Sequence, residues 1–509
     1  MHSRNDLTAT APGGFDSGFD RAALLNLADT ALRLAARAGA QYADIRIGRN
    51  EHEYLRARED KLQALVYAVD AGFGLRVLVN GSWGFAGSTT LSTQELSRMV
   101  TLAMENAAAN ATIQTTPISL EDIPAAQGDW VMPMKTDPFT VPADEKAALL
   151  LAINSAALQS GADFCNAWVT FVRESKLFAS SRGSIITQTR VRCQPNFSAM
   201  AVDKETGKFA WRNSLAAPRG SGWDYVLACD LVAEAALAGA QVREKLAAKP
   251  VEPGKYDLII DPTNLWLTIH ESVGHSTELD RALGWEADFA GTSFVTPDKL
   301  GKLQFGSPLM TVMADRSQEG GLSTIAFDDD GVPAHDSEFA IVENGIFKNY
   351  QMAMGQAGYI GARKSNGCAF ADRPTAFPIQ RMPNISLMPN PNPCTLDDLI
   401  GGIENGIYIL GDGSWSIDQQ RDNFQFGGTL FYEIKNGKLG PMLRDAAYQS
   451  RTLEFWNALD GLGDKSTYFL GGAFFCGKAQ PIQTAPVSHG AVPSRFRSIT
   501  VLNTERGDV

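Results

Sequence analysis

Residues 255–280 read KYDLIIDPTNLWLTIHESVGHSTELD. The first part, from Lys255 to Ile260, has the apolar run of a short buried strand. Asp261 is a good helix N-cap. Pro262 fits the first helical position, because the N–H it lacks would be unpaired there anyway. The stretch therefore predicts a strand turning directly into a helix, and that helix carries His270, Glu271 and His275.

The two histidines stand in the pattern H-E-x-x-x-H, five residues apart. On a regular helix of ~3.6 residues per turn, residues four apart lie about 40° apart around the axis and residues five apart about 140°. Both imidazole nitrogens of one zinc site must come within ~2.0–2.1 Å of the ion. A regular helix does not aim both rings at one point. A π-bulge, bonding i to i+5, realigns them, and so does unwinding at Gly274. One of these distortions is expected if the pair binds metal. The alternative is that His270 and His275 are ordinary polar residues of a partly buried helix. Against that, two of the six histidines in the chain fall within six residues, with a carboxylate beside the first.

A catalytic zinc takes three protein ligands and keeps a fourth position open. Glu278 and Asp280 follow His275 closely. Cys476, in GGAFFCGK (471–478), is a distant candidate, and Lys478 would favour its thiolate. The residues alone leave this choice open. The other five cysteines, Cys165, Cys193, Cys229, Cys368 and Cys394, read as small buried hydrophobes.

The chain has 509 residues, 44% hydrophobic and 20% charged, which is normal for a packed globular protein and excludes a disordered one. At ~150 residues per domain the length corresponds to about three domains. Six cysteines exclude a disulfide-dense scaffold. A net charge of −12 disfavours nucleic acid and anionic lipid as partners. There is no uncharged apolar run of ~18 residues to span a membrane. The opening MHSRNDLTATAPGGFDSGFD has no apolar core of a secretory signal, so a cytoplasmic location is expected.

Organisation follows from periodicity and turn signals. Residues 1–18 read as a flexible tail. Residues 19–112 form an α+β unit: a helix to Ala38 stopped by Gly39, a strand from Tyr42, strands over 62–69 and 72–79, a hairpin at Asn80-Gly81, and a helix over 93–109. A polar stretch over 115–142 separates it from a central α/β segment over 135–247, with strands at 167–173, 185–191 and 196–203 and a helix over 225–247. The strand-rich remainder, 252–505, carries the His270 helix and several Asn-Gly turns. The fold class is thus α+β. Asp328-Asp329-Asp330-Gly331 lacks the spacing of a calcium loop and reads as a solvated acidic turn.

Taken together, GAQYADIRIGR, GFGLRVLVNGSWGFAGSTTLS, HESVGHSTELD, EADFAGTSFVTPDKLG, RMPNISL, DNFQFGG and GGAFFCGKAQ resemble segments of the TldD/PmbA (TldD/TldE) metallopeptidase family over nearly the whole chain. The resemblance implies a zinc metallopeptidase of the TldD type, with His270, His275 and Cys476 as ligands of Zn2+. It makes Glu271 the general base that activates the zinc-bound water. It also implies a peptide or unfolded-protein substrate, and a homodimer or a heterodimer with a motif-less TldE/PmbA-like subunit. The segment after Cys476 departs from the family's C-G-K-x-G-Q, and His489, in VSHG, is either a histidine near the site or, the commoner case, an ordinary surface or core histidine. Two other readings stay open: a non-peptide amide hydrolase or natural-product tailoring enzyme of the same family, and a non-catalytic scaffold subunit. The scaffold has no need of Glu271.

Overall fold

The computed structural model describes residues 20–335 and 337–505, and the tail expected over 1–18 lies outside the described residues. α1 (Arg21–Arg37), capped by Asp20 and followed by Gly39 at φ +92°, leads into β1 (Tyr42–Arg58), β2 (Lys61–Val79), β3 (Ser82–Ser88) and α2 (Thr93–Ala111). Then come β4 (Gln127–Val131), α3 (Ala143–Gln159), β5 (Phe164–Ser180), β6 (Ile185–Val202), β7 (Phe209–Asn213), α4 (Trp223–Ala228) and α5 (Leu231–Ala247).

These seven strands form one sheet in the order β3-β2-β1-β5-β6-β4, with β7 also on β6. β1 pairs with β5 from Asp44 opposite Ser180 to Arg58 opposite Asn166, so the sheet runs through both of the first two units. Leu24, Ile45, Phe73 and Ala103 pack α1 and α2 against one part of it, and Leu150, Phe171, Phe197 and Ala238 pack α3 and α5 against another.

Several elements differ from their sequence reading. The two strands expected over 62–79 are one strand, β2, because Asp70, Ala71 and Gly72 stay in register with β1. The two strands expected over 185–191 and 196–203 are likewise one strand, β6, which runs through Pro195 and ends at Val202; Pro195 lies beyond the reach of β7, paired only along Ser198–Val202. Part of the expected linker is β4, paired in parallel with β6. The helix expected over 225–247 is two, broken at Asp230, whose φ is +45°.

The second half begins with β8 (Gly254–Ile260) and runs into α6 (Pro262–Thr268), capped as expected by Asp261, whose carboxylate accepts from the Thr263 N–H at 3.0 Å. β8 belongs to a sheet with β9 (Asn405–Ile417), β10 (Asn423–Lys435), β11 (Lys438–Arg444) and β12 (Ala446–Arg451). A separate pair follows, β13 (Phe469–Lys478) with β14 (Gln483–Ala491), and then β15 (Ser494–Asn503) returns to the larger sheet. The order β9-β8-β15-β12-β10 closes on itself through the β9–β10 pairing, so five strands form a ring. α6 and the turn after it pack on this ring through Leu265, Ile269 and Val273, in one core with Phe455, Trp456 and Phe496. No helix among the described residues is long and apolar enough to cross a membrane.

The acidic turn at 328–330 is buried rather than solvated. Each carboxylate has partners that replace water. Asp328 accepts from the Asp330, Val332 and Ala369 N–H groups. Asp329 pairs with Lys176 of β5 at 2.6 Å. Asp330 pairs with Arg76 of β2 at 2.7 Å, and Arg76 also holds Asp44 at 2.7 Å. The turn therefore ties the seven-stranded sheet to the second half of the chain. Removing Asp330 leaves Arg76 its pairing with Asp44 but takes away one charged partner and the acceptor of the Met354 N–H, so the cost falls at the low end of the ~3–5 kcal/mol seen when a buried pair is broken. Asp330→Ala is expected to lower the unfolding free energy by about 3 kcal/mol, read as a drop of several degrees in the calorimetric Tm.

Candidate metal centre

Past α6 the backbone widens. Residues Ile269–Gly274 form a π-helical turn, and His275–Thr277 tighten into a 3₁₀ turn. This is the realignment that two histidines five apart require. The segment is wholly buried, so its polar side chains are anchored internally. The Trp456 indole N–H donates to Ser272 Oγ at 2.9 Å, Thr268 Oγ1 meets the Tyr448 hydroxyl at 2.6 Å, and Asn264 donates to the Gly411 and Gly427 carbonyls. Gly274 allows a close approach of Met382, whose sulfur would lie 2.7 Å from a Cβ there and would have to shift.

The ligating atoms of His270, His275 and Cys476 all lie within 4.8 Å of one another, and all three residues are buried. Cys476 comes from β13, and its Sγ is 3.6 Å from His275 Nε2. Donors at ~2.0–2.3 Å from a common tetrahedral ion are themselves about 3.3–3.6 Å apart, so this pair already has ligand spacing.

The hydrogen bonds behind the rings set their tautomers. His489 Nδ1 lies 3.2 Å from the Ile385 carbonyl, which can only accept, so this nitrogen carries the proton. His489 Nε2 is then an acceptor, 2.8 Å from His270 Nδ1. His270 Nδ1 donates to it, and Nε2 of His270 keeps its lone pair. His275 Nδ1 donates to Glu278 Oε2 at 2.9 Å, which leaves its Nε2 free in the same way. Such carboxylate–histidine arrangements orient metal-binding rings and raise their basicity.

Electrostatics favour the same protonation states. Burial pushes both His270 and His275 down to about 4, against opposing carboxylates that include Glu278, so both are neutral near neutral pH. Burial raises the Cys476 thiol, but Arg381 and His275 outweigh it and the net shift is downward. The other five cysteines are all shifted upward by burial, Cys165 to about 12 and Cys368 to about 11. Cys476 is thus the one cysteine made more acidic by its surroundings.

Glu271 is buried beside the cluster, and its Oε2 accepts from Arg421 at 2.7 Å. Of the local ligand candidates, Glu278 stands behind His275 and also holds Arg281 at 3.0 Å, and Asp280 pairs with Lys478 at 2.8 Å. Neither joins the cluster. Lys478 therefore does not act on Cys476 as its sequence position implied. It points into the Glu278–Asp280 pocket, and Arg381 takes the role instead, donating to the Cys476 carbonyl at 2.6 Å. Sequence reading missed Arg381, Arg421 and the orienting part of Glu278. Arg381 opens RMPNISL, and Arg421 precedes DNFQFGG, but neither has a spacing to the motif that marks it.

A cavity of about 270 Å³ lies alongside, walled by β13 residues Gly471 to Phe475, by Gln194 and Asn196 of β6, and by Trp266, one turn before His270. Gly471 lets Trp266 close on β13, as a Cβ would lie 2.5 Å from its ring.

Comparison with known proteins shows the family of the chain. The models of the PmbA/TldA metallopeptidase domain 1, central domain and C-terminal domain match residues 43–107, 136–248 and 253–501. The chain belongs to the TldD/PmbA metallopeptidase family. It is 28% identical to a metalloprotease of Methanocaldococcus jannaschii over 88% of this chain and 94% of that one. It is 22% identical to the zinc metalloprotease TldD homolog of Saccharolobus solfataricus, over 92% and 98%. The fold matches that of TldE from Thermococcus kodakarensis with a TM-score of 0.71 at 14% identity, covering 94% of this chain and 100% of that one.

Two predictions follow from the hydrogen-bond chain. His489→Phe keeps a planar ring, somewhat larger, but removes the acceptor behind His270, and is expected to weaken metal binding about 10- to 100-fold, measured by chelator competition. In chelator-treated protein His270 and His275 titrate near 4 when folded, against an ordinary value of 6.5. The unfolded chain binds more protons between those values, so stability falls as pH drops from about 6.5 to about 4. Urea unfolding across that range should show this slope, and the double variant His270→Gln/His275→Gln should make it shallower, with His489, also held low by burial, supplying part of what remains.

Proposed function

We propose that this chain is a zinc-dependent metallopeptidase acting on peptides or unfolded proteins, with His270, His275 and Cys476 as the ligands. The observation that supports it most is that two neutral imidazoles and one acidified thiol come together in one buried cluster, their ligand atoms within 4.8 Å of one another, beside a carboxylate held by arginine. Two histidines and a cysteine are a donor set that zinc accepts, and three protein ligands leave it an open position. A zinc ion there supplies Lewis acidity that polarises the scissile carbonyl and makes water a nucleophile near neutral pH.

The residues do the rest. Arg421 holds Oε2 of Glu271 and leaves Oε1 for the proton. Glu271 takes that proton from the attacking water as the new C–O bond forms. It then delivers it to the amide nitrogen as the C–N bond breaks. His489 and Glu278 keep the ligand rings aimed. Among the described residues β13 pairs with no strand but β14, so its other edge is proposed to offer main-chain partners to an extended peptide, apart from the Cys476 carbonyl, which Arg381 holds. The subunit is proposed to work in the cytoplasm, paired with a second copy or with a motif-less TldE/PmbA-like relative, and without nucleic acid or membrane.

Glu271→Gln tests the mechanism. It is expected to retain zinc while losing about 10²–10⁴-fold in kcat on a peptide library read by mass spectrometry. A variant that cleaves like wild type, or wild-type protein purified without zinc, would overturn the reading.

A further inference from the structure

The outer half of β2 is an open edge. β3 covers only Phe73–Val79 of it, and among the described residues no strand pairs with the outer side of residues 61–72. This edge is also apolar: Leu62, Leu65, Val66, Tyr67 and Val69 are 44%, 53%, 50%, 54% and 45% exposed. Folded chains ordinarily protect such edges with charge, proline or a covering element, because unpaired main-chain groups recruit another strand. Here the exposed stretch is a run of ten residues, Lys61 to Asp70, with charges only at its two ends.

A bulge makes the stripe continuous. Ala57 lies opposite Leu62 and Arg56 opposite Ala64, so Gln63 has no partner on β1. Residues opposite one another on antiparallel strands share a face. Leu62, Leu65, Tyr67 and Val69 therefore all lie on the face of Ala57, Leu55, Glu53 and Glu51. Lys61, Ala64, Val66, Ala68 and Asp70 share the other face. Without the bulge, Lys61 and Leu62 would each be on the wrong side.

The segment is complementary to itself in this arrangement. Run antiparallel against its own copy about a two-fold axis at Val66, it sets Leu65 against Tyr67, Ala64 against Ala68, Leu62 against Val69 and Lys61 against Asp70. Every pair falls on a common face, the apolar stripe meets itself, and the only two charges meet with opposite sign. An isologous dimer needs this kind of self-matching surface.

We propose that the outer edge of β2 docks a second copy of this chain, joining the two seven-stranded sheets across Val66. This rests on the proposed association of family subunits and commits it to one surface and one partner.

The test is the association state of the full-length, zinc-loaded protein by sedimentation velocity from 0.1 to 100 µM. Wild type is expected to be a dimer, and Val66→Lys, which sets two like charges against each other on the axis, is expected to raise the dimer Kd at least 100-fold with zinc content and Tm unchanged. Leu65→Lys is a second, independent disruption. Lys61→Glu and Asp70→Lys should each weaken self-association about three- to ten-fold, and an equimolar mixture of the two should restore it, because the mixed pair regains both opposite-charge contacts. A dimer untouched by Val66→Lys and Leu65→Lys would overturn the surface while leaving subunit association standing. A wild-type monomer at 100 µM would overturn a second copy as the occupant of this edge, and leaves the pairing with a motif-less relative in the proposed function untouched.

Discussion

Two imidazoles five residues apart on one helix stand together in one buried cluster, and the helix has to give way for them to do so. The π-helical turn at Ile269–Gly274 is that concession. A widened turn exchanges regular i→i−4 bonds for poorer ones, so it persists only where packing holds it. Here the support comes from all sides: the ring of five strands under Leu265, Ile269 and Val273, the Trp456 bond to Ser272, and the Met382 sulfur filling the space that a side chain at 274 would need. The closed ring and the buried polar anchors are thus conditions for the two rings to converge.

The same burial creates the electrical character of the site. Taking the imidazoles from water disfavours their charged forms, which leaves lone pairs where a metal can use them. It would also keep the thiol protonated, as it does for the other five cysteines, were Arg381 and His275 not facing Cys476. One environment therefore treats histidine and cysteine oppositely and prepares both as donors. The chain from the Ile385 carbonyl through His489 to His270 is the most economical part: a backbone oxygen, which can only accept, decides which nitrogen of a ring two residues away in the chain of bonds is free.

Much of this was legible from residues 255–280. The strand, the Asp261 cap, Pro262 at the first helical position, and the need for a helix distortion all follow from local chemistry, and the structure has them. Local signals failed where a distant partner decides. The aspartates at 328–330 look like a solvated turn because Arg76 and Lys176, some 150–250 residues away, are not visible to a local reading. Lys478 looked like a partner for Cys476 because it is near in sequence, yet Glu278 and Asp280 hold it. Strand lengths were underestimated at Gly72 and Pro195, where ladder pairing to neighbours carries the strand through a residue that would end it alone.

By itself the sequence determined the elements and the chemistry available: an α+β chain, a capped helix bearing two histidines and a glutamate, and a glycine-flanked cysteine two hundred residues on. These depend on propensity, capping and side-chain type, which act within a few residues. Only the tertiary structure decided that Cys476, rather than Glu278 or Asp280, stands with the two imidazoles, that His489 and Glu278 stand behind them, and that arginines flank Glu271 and Cys476. Those choices depend on distance in space and on exclusion of water, and neither quantity exists until the ring closes around the helix.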